Sequence, residues 1–143
     1  MFWLSQDALI RDLQRVLSEG PRLRLAVLFG STARGTNTAD SDLDVAILPV
    51  DPQLPLSDEL TLQARISIAA KREVDLVRLD RCNPTLRYRV AREGVPVFAE
   101  PGALSSFRAR AGIEHAELAP LVKRASEIFL KRLRAMSQSG GTP

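Results

Sequence analysis

Three short stretches of this sequence carry residues suited to chemistry on phosphate. Gly30-Ser31 follows the apolar run of residues 23–29. A glycine at a strand end lets backbone amides turn toward a ligand. A helical turn after it adds free N–H groups and a positive end, which suit phosphate oxygens. By itself the pair is equally a turn glycine with a capping serine. Asp42-Leu43-Asp44 is the second stretch. In a strand, residues i and i+2 point the same way. Both carboxylates therefore stand on one face, roughly 7 Å apart, while Leu43, Val45 and Ile47 fill the other. A divalent cation between two such acids relieves their repulsion, and hard oxygen ligands suit Mg²⁺. An isolated pair of this kind is otherwise a solvated strand end. The third is Asp75, between Val74 and Leu76 in another apolar run. A lone buried carboxylate costs several kcal/mol unless paired. In a strand expected to be central, Asp75 wants a cation, or an ion pair with Arg65, Arg72 or Arg78. If its strand lies beside that of Asp42 and Asp44, about 4.8 Å away, the three carboxylates form one cluster.

The elements that must position these residues follow from periodicity and caps. Ser5 is a candidate N-cap, Leu9, Leu13, Val16 and Leu17 recur at helical spacing, and Gly20-Pro21 ends that helix. Residues 23–29 read as a buried strand, and 41–48 as a strand with one end open to a cleft. Ser57 is a candidate N-cap, with Asp58-Glu59 in the first turn and Lys71-Arg72 in the last. Residues 74–79 make a third strand. Asn83-Pro84 caps a helix that ends at Gly94. Val95 to Ala99 contains Pro96 and belongs on a sheet edge. A final helical region starts at Ser105 or Ser106, with Phe107, Ala111, Leu118, Val122, Ala125, Phe129 and Leu133 on its apolar side. Pro120 starts a new helix there or kinks the old one. Ser137 onward reads as a frayed tail.

Composition limits the classes. The chain has 143 residues, one domain's length. Its apolar and charged fractions, 45% and 26%, argue against disorder. No apolar run approaches the ~20 residues of a membrane helix. The N-terminus lacks the basic start of a signal peptide. One cysteine, Cys82, and one histidine, His115, make neither an internal disulfide nor a zinc cluster, which points to a reducing, cytoplasmic setting. The net charge is +3 but unevenly spread. Residues 1–103 hold 13 Arg/Lys against 14 Asp/Glu, and residues 104–143 hold 7 against 3. A basic groove for a template or primer is therefore not expected in the first part, nor is direct nucleic-acid binding. Gly30 to Gly35 has the glycine spacing of a P-loop, but Thr36-Asn37 stands where Lys-Ser/Thr is required, which excludes a P-loop NTPase. His115 reads as a packing or surface residue. Trp3, Phe107 and Phe129 read as core or partner-contact aromatics rather than base-stacking platforms.

Gly30-Ser31, then Asp42-x-Asp44, then a later strand Asp75, resembles the nucleotidyltransferase superfamily with the DNA polymerase β-type fold. The stretches Leu28 to Gly35, Ser41 to Ile47, Val74 to Val77 and Leu86 to Gly94 closely resemble the minimal nucleotidyltransferases (MNT), from about Leu9 to Phe98. The resemblance implies an α/β (α+β) fold, with a small mixed sheet flanked by helices. It would form a catalytic domain over residues 1–103, followed by a C-terminal helical extension with a disordered tail over 104–143. It implies Asp42, Asp44 and Asp75 as catalytic, metal-holding residues for two Mg²⁺ ions. Gly30, Ser31, Arg34 and Ser41 would serve the nucleotide: Arg34 neutralises charge on the leaving phosphates, and Ser41 with Asp40 steadies the Asp42 loop. ATP would be the substrate. MNT proteins resemble the antitoxin of HEPN/MNT toxin–antitoxin pairs, which implies AMP transfer to a tyrosine of a HEPN toxin.

Two other functions compete. An aminoglycoside-type enzyme needs an acidic pocket for a polycation, and beyond Asp40–Asp44 the acidic groupings are few: Asp58-Glu59 and scattered Glu93, Glu100, Glu114 and Glu117. A binding antitoxin needs no catalysis. So small a catalytic unit must obtain its acceptor site from another chain, as a homo- or hetero-oligomer. The basic C-terminal region is expected to pack on the domain by its apolar side and turn its charge to a partner.

Overall fold

The computed structural model describes residues 6–35 and 42–139. In chain order its elements are α1 (Gln6–Ser18), β1 (Leu23–Phe29), α2 (Ser31–Arg34), β2 (Leu43–Pro49), α3 (Leu56–Ala70), β3 (Val74–Arg78), α4 (Pro84–Glu93), β4 (Val95–Ala99) and α5 (Ala103–Ser139). The strands form one sheet in the order β3-β2-β1-β4. β1 runs antiparallel to both β2 and β4, whereas β2 and β3 are parallel. The parallel pair needs a crossover, and α3 supplies it.

Each face of the sheet has its own core. The period of two in β2 sends Leu43, Val45 and Ile47 to one side, where α1 contributes Leu9, Leu13 and Leu17 and α3 contributes Leu62 and Ile66. The other side holds Leu25, Val27 and Phe29 of β1 against Val90 and Ala91 of α4 and Phe107 and Ala111 of α5. Full burial of one such large side chain contributes about 1.5–3 kcal/mol. Gly94 lets α4 close tightly on β1, because a Cβ there would stand 2.3 Å from Val27 Cγ1 and 2.5 Å from the Val90 carbonyl oxygen.

The local signals held unevenly. The Asn83 side chain accepts from the Leu86 N–H at 2.8 Å, with Pro84 at the first helical position, as the cap pattern requires. β4 with Pro96 is an edge strand. The cap of α3 is Pro55 rather than Ser57, and its carbonyl accepts from the Asp58 and Glu59 amides. Lys71 lies just beyond that helix as its left-handed cap, at φ 56°. Ser5 falls outside the described residues.

Two larger expectations change. β3 is an edge strand, so Asp75 is exposed and needs no cation to offset burial. The strand's place in the sheet is set by which neighbour α3 can reach, and this is invisible in its apolar run. The C-terminal region is one continuous helix through Pro120, and it is still helical at Ser137–Ser139. Pro120 removes one N–H and its bond to the preceding turn, but the chain continues. α5 buries Phe107 and Ala111 and then leaves the domain, so that residues from 119 onward are exposed. Its apolar side does not pack on the domain over most of its length.

Candidate active site at one end of the sheet

β1 delivers Gly30 and Ser31, β2 delivers Asp42 and Asp44, and β3 delivers Asp75 to the same end of the sheet. The register makes this specific. Asp44 pairs with Phe29 across the antiparallel ladder and with Asp75 across the parallel one. Directly opposed residues on neighbouring strands share a face, so the Asp44 and Asp75 carboxylates rise on one side. Asp42, two residues before Asp44, shares that side. The Leu43 amide donates to the Glu73 carbonyl at 2.9 Å and fixes where β2 enters beside β3. Asp44 is half-buried, while Asp42 and Asp75 are exposed.

Gly30 stands directly over this edge. Its φ of 74° and ψ of −149° belong to a region that only glycine occupies readily. A Cβ built on it would lie 2.2 Å from Asp44 Oδ2. Backbone shape and lack of a side chain are thus both required, and the Asp44 carboxylate occupies the space a side chain would take. Ser31 begins α2, a single turn closed by Gly35 in the left-handed conformation. Thr32 is buried behind it, with its hydroxyl oxygen unpartnered among the described residues.

Arg34 ends α2, but its side chain lies outside the described part of the structure, as do Asp40 and Ser41. Among the described residues, no group of three or more His, Cys, Asp and Glu is gathered closely enough to hold a metal ion by itself. What is present is an open edge of hard carboxylate oxygens. Mg²⁺ commonly takes one or two carboxylates and completes its shell with water and substrate phosphates. The donor set fits that cation.

Asp75 has no ion pair among the described residues, and Arg78, one of the three cations expected beside it, serves elsewhere. Arg78 points to the opposite face of β3 and is almost fully buried. It donates to the carbonyl oxygens of Pro52 (2.9 Å) and Leu54 (3.2 Å), and to both oxygens of Asp80 (3.1 and 2.6 Å). Glu59 lies 3.1 Å away, off the hydrogen-bond direction, and acts as a second counter-charge. The Asp80 hydrogen bonds, helped by Glu59, raise the Arg78 pKa against the opposing effect of burial. This network pins the loop after β2 and was missed in sequence, because its partners are spread over 28 residues. Tyr88 and His115 were also missed as a pair. Their rings stack with centroids 3.7 Å apart and 5° between planes, joining α4 to α5. His115 is thus a packing residue, as expected.

The chain is similar to several known proteins. Residues 11–101 match the polymerase beta nucleotidyltransferase family. The protein adenylyltransferase MntA of Aphanizomenon flos-aquae is 30% identical over 129 residues, which cover 82% of this chain and 86% of that protein. A toxin–antitoxin crystal structure with AMP-PNP shares the fold at a TM-score of 0.69 and 24% identity, covering 82% of this chain and 98% of its own. So does a complex of a tri-AMPylated Shewanella oneidensis HEPN toxin with an MNT antitoxin, at 0.66 and 22%, covering 85% of this chain and 98% of its own. By fold, by the placement of its acids and by these relatives, the chain belongs to the polymerase β nucleotidyltransferase family, among the MntA-type minimal nucleotidyltransferases.

Proposed function

We propose that this chain is an antitoxin that transfers AMP from ATP to a tyrosine hydroxyl of a partner HEPN toxin and thereby neutralises it. The observation that carries the reading is the register of Asp44 with Asp75, with Asp42 on the same side and Gly30 over the Asp44 carboxylate. Its relatives supply the acceptor class: one is a protein adenylyltransferase, and another is an MNT antitoxin in complex with an AMPylated HEPN toxin.

In this reading residues 1–103 are the catalytic unit, and 104–143 are an extension whose first turns complete its core. The Gly30 backbone and the Ser31 hydroxyl hold the β and γ phosphates, and Arg34 offsets charge on them as they leave. Ser41 steadies the loop before Asp42. Asp42 and Asp44 would hold two Mg²⁺ ions, with Asp75 as a further ligand of one, and the bound cations would supply charge neutralisation for the triphosphate and a lowered pKa for the attacking hydroxyl. That hydroxyl forms a new bond to the α-phosphorus, the α–β anhydride bond breaks, pyrophosphate leaves, and Asp75 accepts the proton. A cytoplasmic setting agrees with the single free thiol of Cys82.

The test is direct. Incubated with ATP and Mg²⁺, this protein should raise the intact mass of its cognate HEPN toxin by whole AMP increments, mapped by peptide analysis to tyrosine. A toxin that is bound and silenced while its mass stays unchanged would replace this reading with a binding-only antitoxin.

A further inference from the structure

α5 carries an apolar side that begins inside the domain and continues outside it. Leu104, Phe107 and Ala111 pack against the sheet. The same side, repeating every three or four residues, then presents Leu121, Val122, Ile128, Phe129, Leu133 and Met136 to solvent, each between 44% and 68% exposed. From residue 118 to 136 this stripe runs about 27 Å. A contiguous apolar surface of that kind on a soluble domain marks a contact.

Charge decides what kind of contact. Residues 118–139 hold five Arg/Lys and one Asp/Glu. Arg132 falls on the stripe itself, and Arg124 and Lys131 flank it along one edge at helical spacing. Two copies of such a helix would repel. Beside the first turns of α5, just before the helix leaves the domain, a cleft of about 830 Å³ opens, with Leu48, Leu79 and Phe107 among its lining. Its acids are already paired: Asp80 with Arg78, Glu100 with Arg22 and Glu114 with Arg87. Arg24 and Arg110, also in its wall, have no ion pair among the described residues. The cleft therefore offers two cations over an apolar floor. It lies four residues along β2 from Asp44, about 13 Å away, at the other end of the sheet from the acid edge.

We propose that the uncovered side of α5 and the Arg24/Arg110 cleft form one continuous docking surface for an amphipathic, acid-flanked helix of the HEPN toxin. The toxin's apolar side covers the stripe and its carboxylates meet Arg24, Arg110 and Arg132. Held there, the toxin leaves the acid edge open to ATP and to an acceptor tyrosine. The inference rests on the proposed function for the identity of the partner.

The experiment measures binding of purified cognate HEPN toxin to the full chain without ATP, so that no transfer intervenes. Three variants are compared with the wild type: Phe129→Ser/Leu133→Ser, Arg24→Glu/Arg110→Glu, and Ile68→Ser. Ile68 is a still more exposed apolar residue on α3, 78% exposed, and serves as the control. The first two variants should raise the Kd at least tenfold, the charge reversal more at low salt than at high. All three should keep the wild-type Tm and ATP affinity, and Ile68→Ser should keep the wild-type Kd. If the toxin binds the wild type and the stripe and cleft variants equally, the docking surface is wrong and the proposed function stands. If the toxin does not bind the wild type, the docking surface is wrong, and the mass-increment assay alone decides the proposed function. If light scattering shows a wild-type dimer that the stripe variant dissolves while toxin affinity is unchanged, the stripe belongs to a second copy of this chain and the proposal fails.

Discussion

A single missing side chain governs the candidate site. Gly30→Ala would place a methyl group 2.2 Å from Asp44 Oδ2 while forcing alanine to a φ of 74°. Such a backbone costs about 1–3 kcal/mol for a residue with a Cβ, and relief must come by moving Asp44. AMP transfer should fall by at least ~10²-fold, with only a few degrees lost in Tm by circular dichroism. Asp42→Asn/Asp44→Asn is complementary. It removes charge but keeps the shape of one exposed and one half-buried side chain, so the fold should lose at most a few degrees in Tm while transfer is abolished; toxin neutralisation that survives in cells would show that chemistry is dispensable. Gly30, Asp42 and Asp44 were legible because strand period and glycine geometry are local. The exposure of Asp75 was not, because it depends on which strand lies at the edge. Cys82 behaves differently from these acids. Burial pushes its thiol above the ordinary range, against the pull of Arg87. A thiol held protonated in the folded state stabilises that state below its ordinary pKa and loses the effect as pH rises through the folded value. Alkylation of Cys82 should accordingly be slower than that of free cysteine at pH 8, by intact mass, and equal to it in urea.

At the scale of elements, buried polar groups matter as much as apolar ones. Arg78 holds the loop after β2 through two carbonyls and two carboxylates. Arg78→Ala takes the buried cation from two partly exposed carboxylates and two carbonyls, and each lost hydrogen bond to a charged group costs about 1.5–3 kcal/mol. Urea denaturation should show that loss. Glu59→Gln removes only the counter-charge that is poorly aligned for a hydrogen bond, and should cost less. Elements whose signals lie within a few residues were readable: Asn83-Pro84 before α4, and the period of β2. α3 shows where local reading ends. Its cap moved to Pro55 because a carbonyl, not a side chain, accepts the first amides. The Arg78 network, the Tyr88–His115 stack and the end of core packing along α5 depend on contacts between distant segments, and sequence periodicity carries no trace of them.

At the scale of the whole molecule, the split in charge acquires a physical location. The nearly balanced first part is the sheet with its helices, and the basic excess lies mainly on a helix that leaves it. The two portions of that helix should respond oppositely to truncation. Ending the chain after residue 117 keeps Phe107 and Ala111 in the core and removes mostly exposed side chains, whose loss typically changes stability by about 0.5 kcal/mol or less each. That protein should fold, bind ATP with unchanged affinity and fail to capture the toxin. Ending it after residue 103 strips Phe107 and Ala111 from the face of β1 and α4. Loss of one buried Phe to Ala alone costs about 3–5 kcal/mol, a large part of the roughly 5–15 kcal/mol that holds a domain together. The shorter protein should lose its cooperative thermal transition. Phe107→Ala and Phe129→Ala in the full chain give the same contrast one residue at a time. The first should lower stability by several kcal/mol, and the second should leave it nearly unchanged while weakening toxin binding.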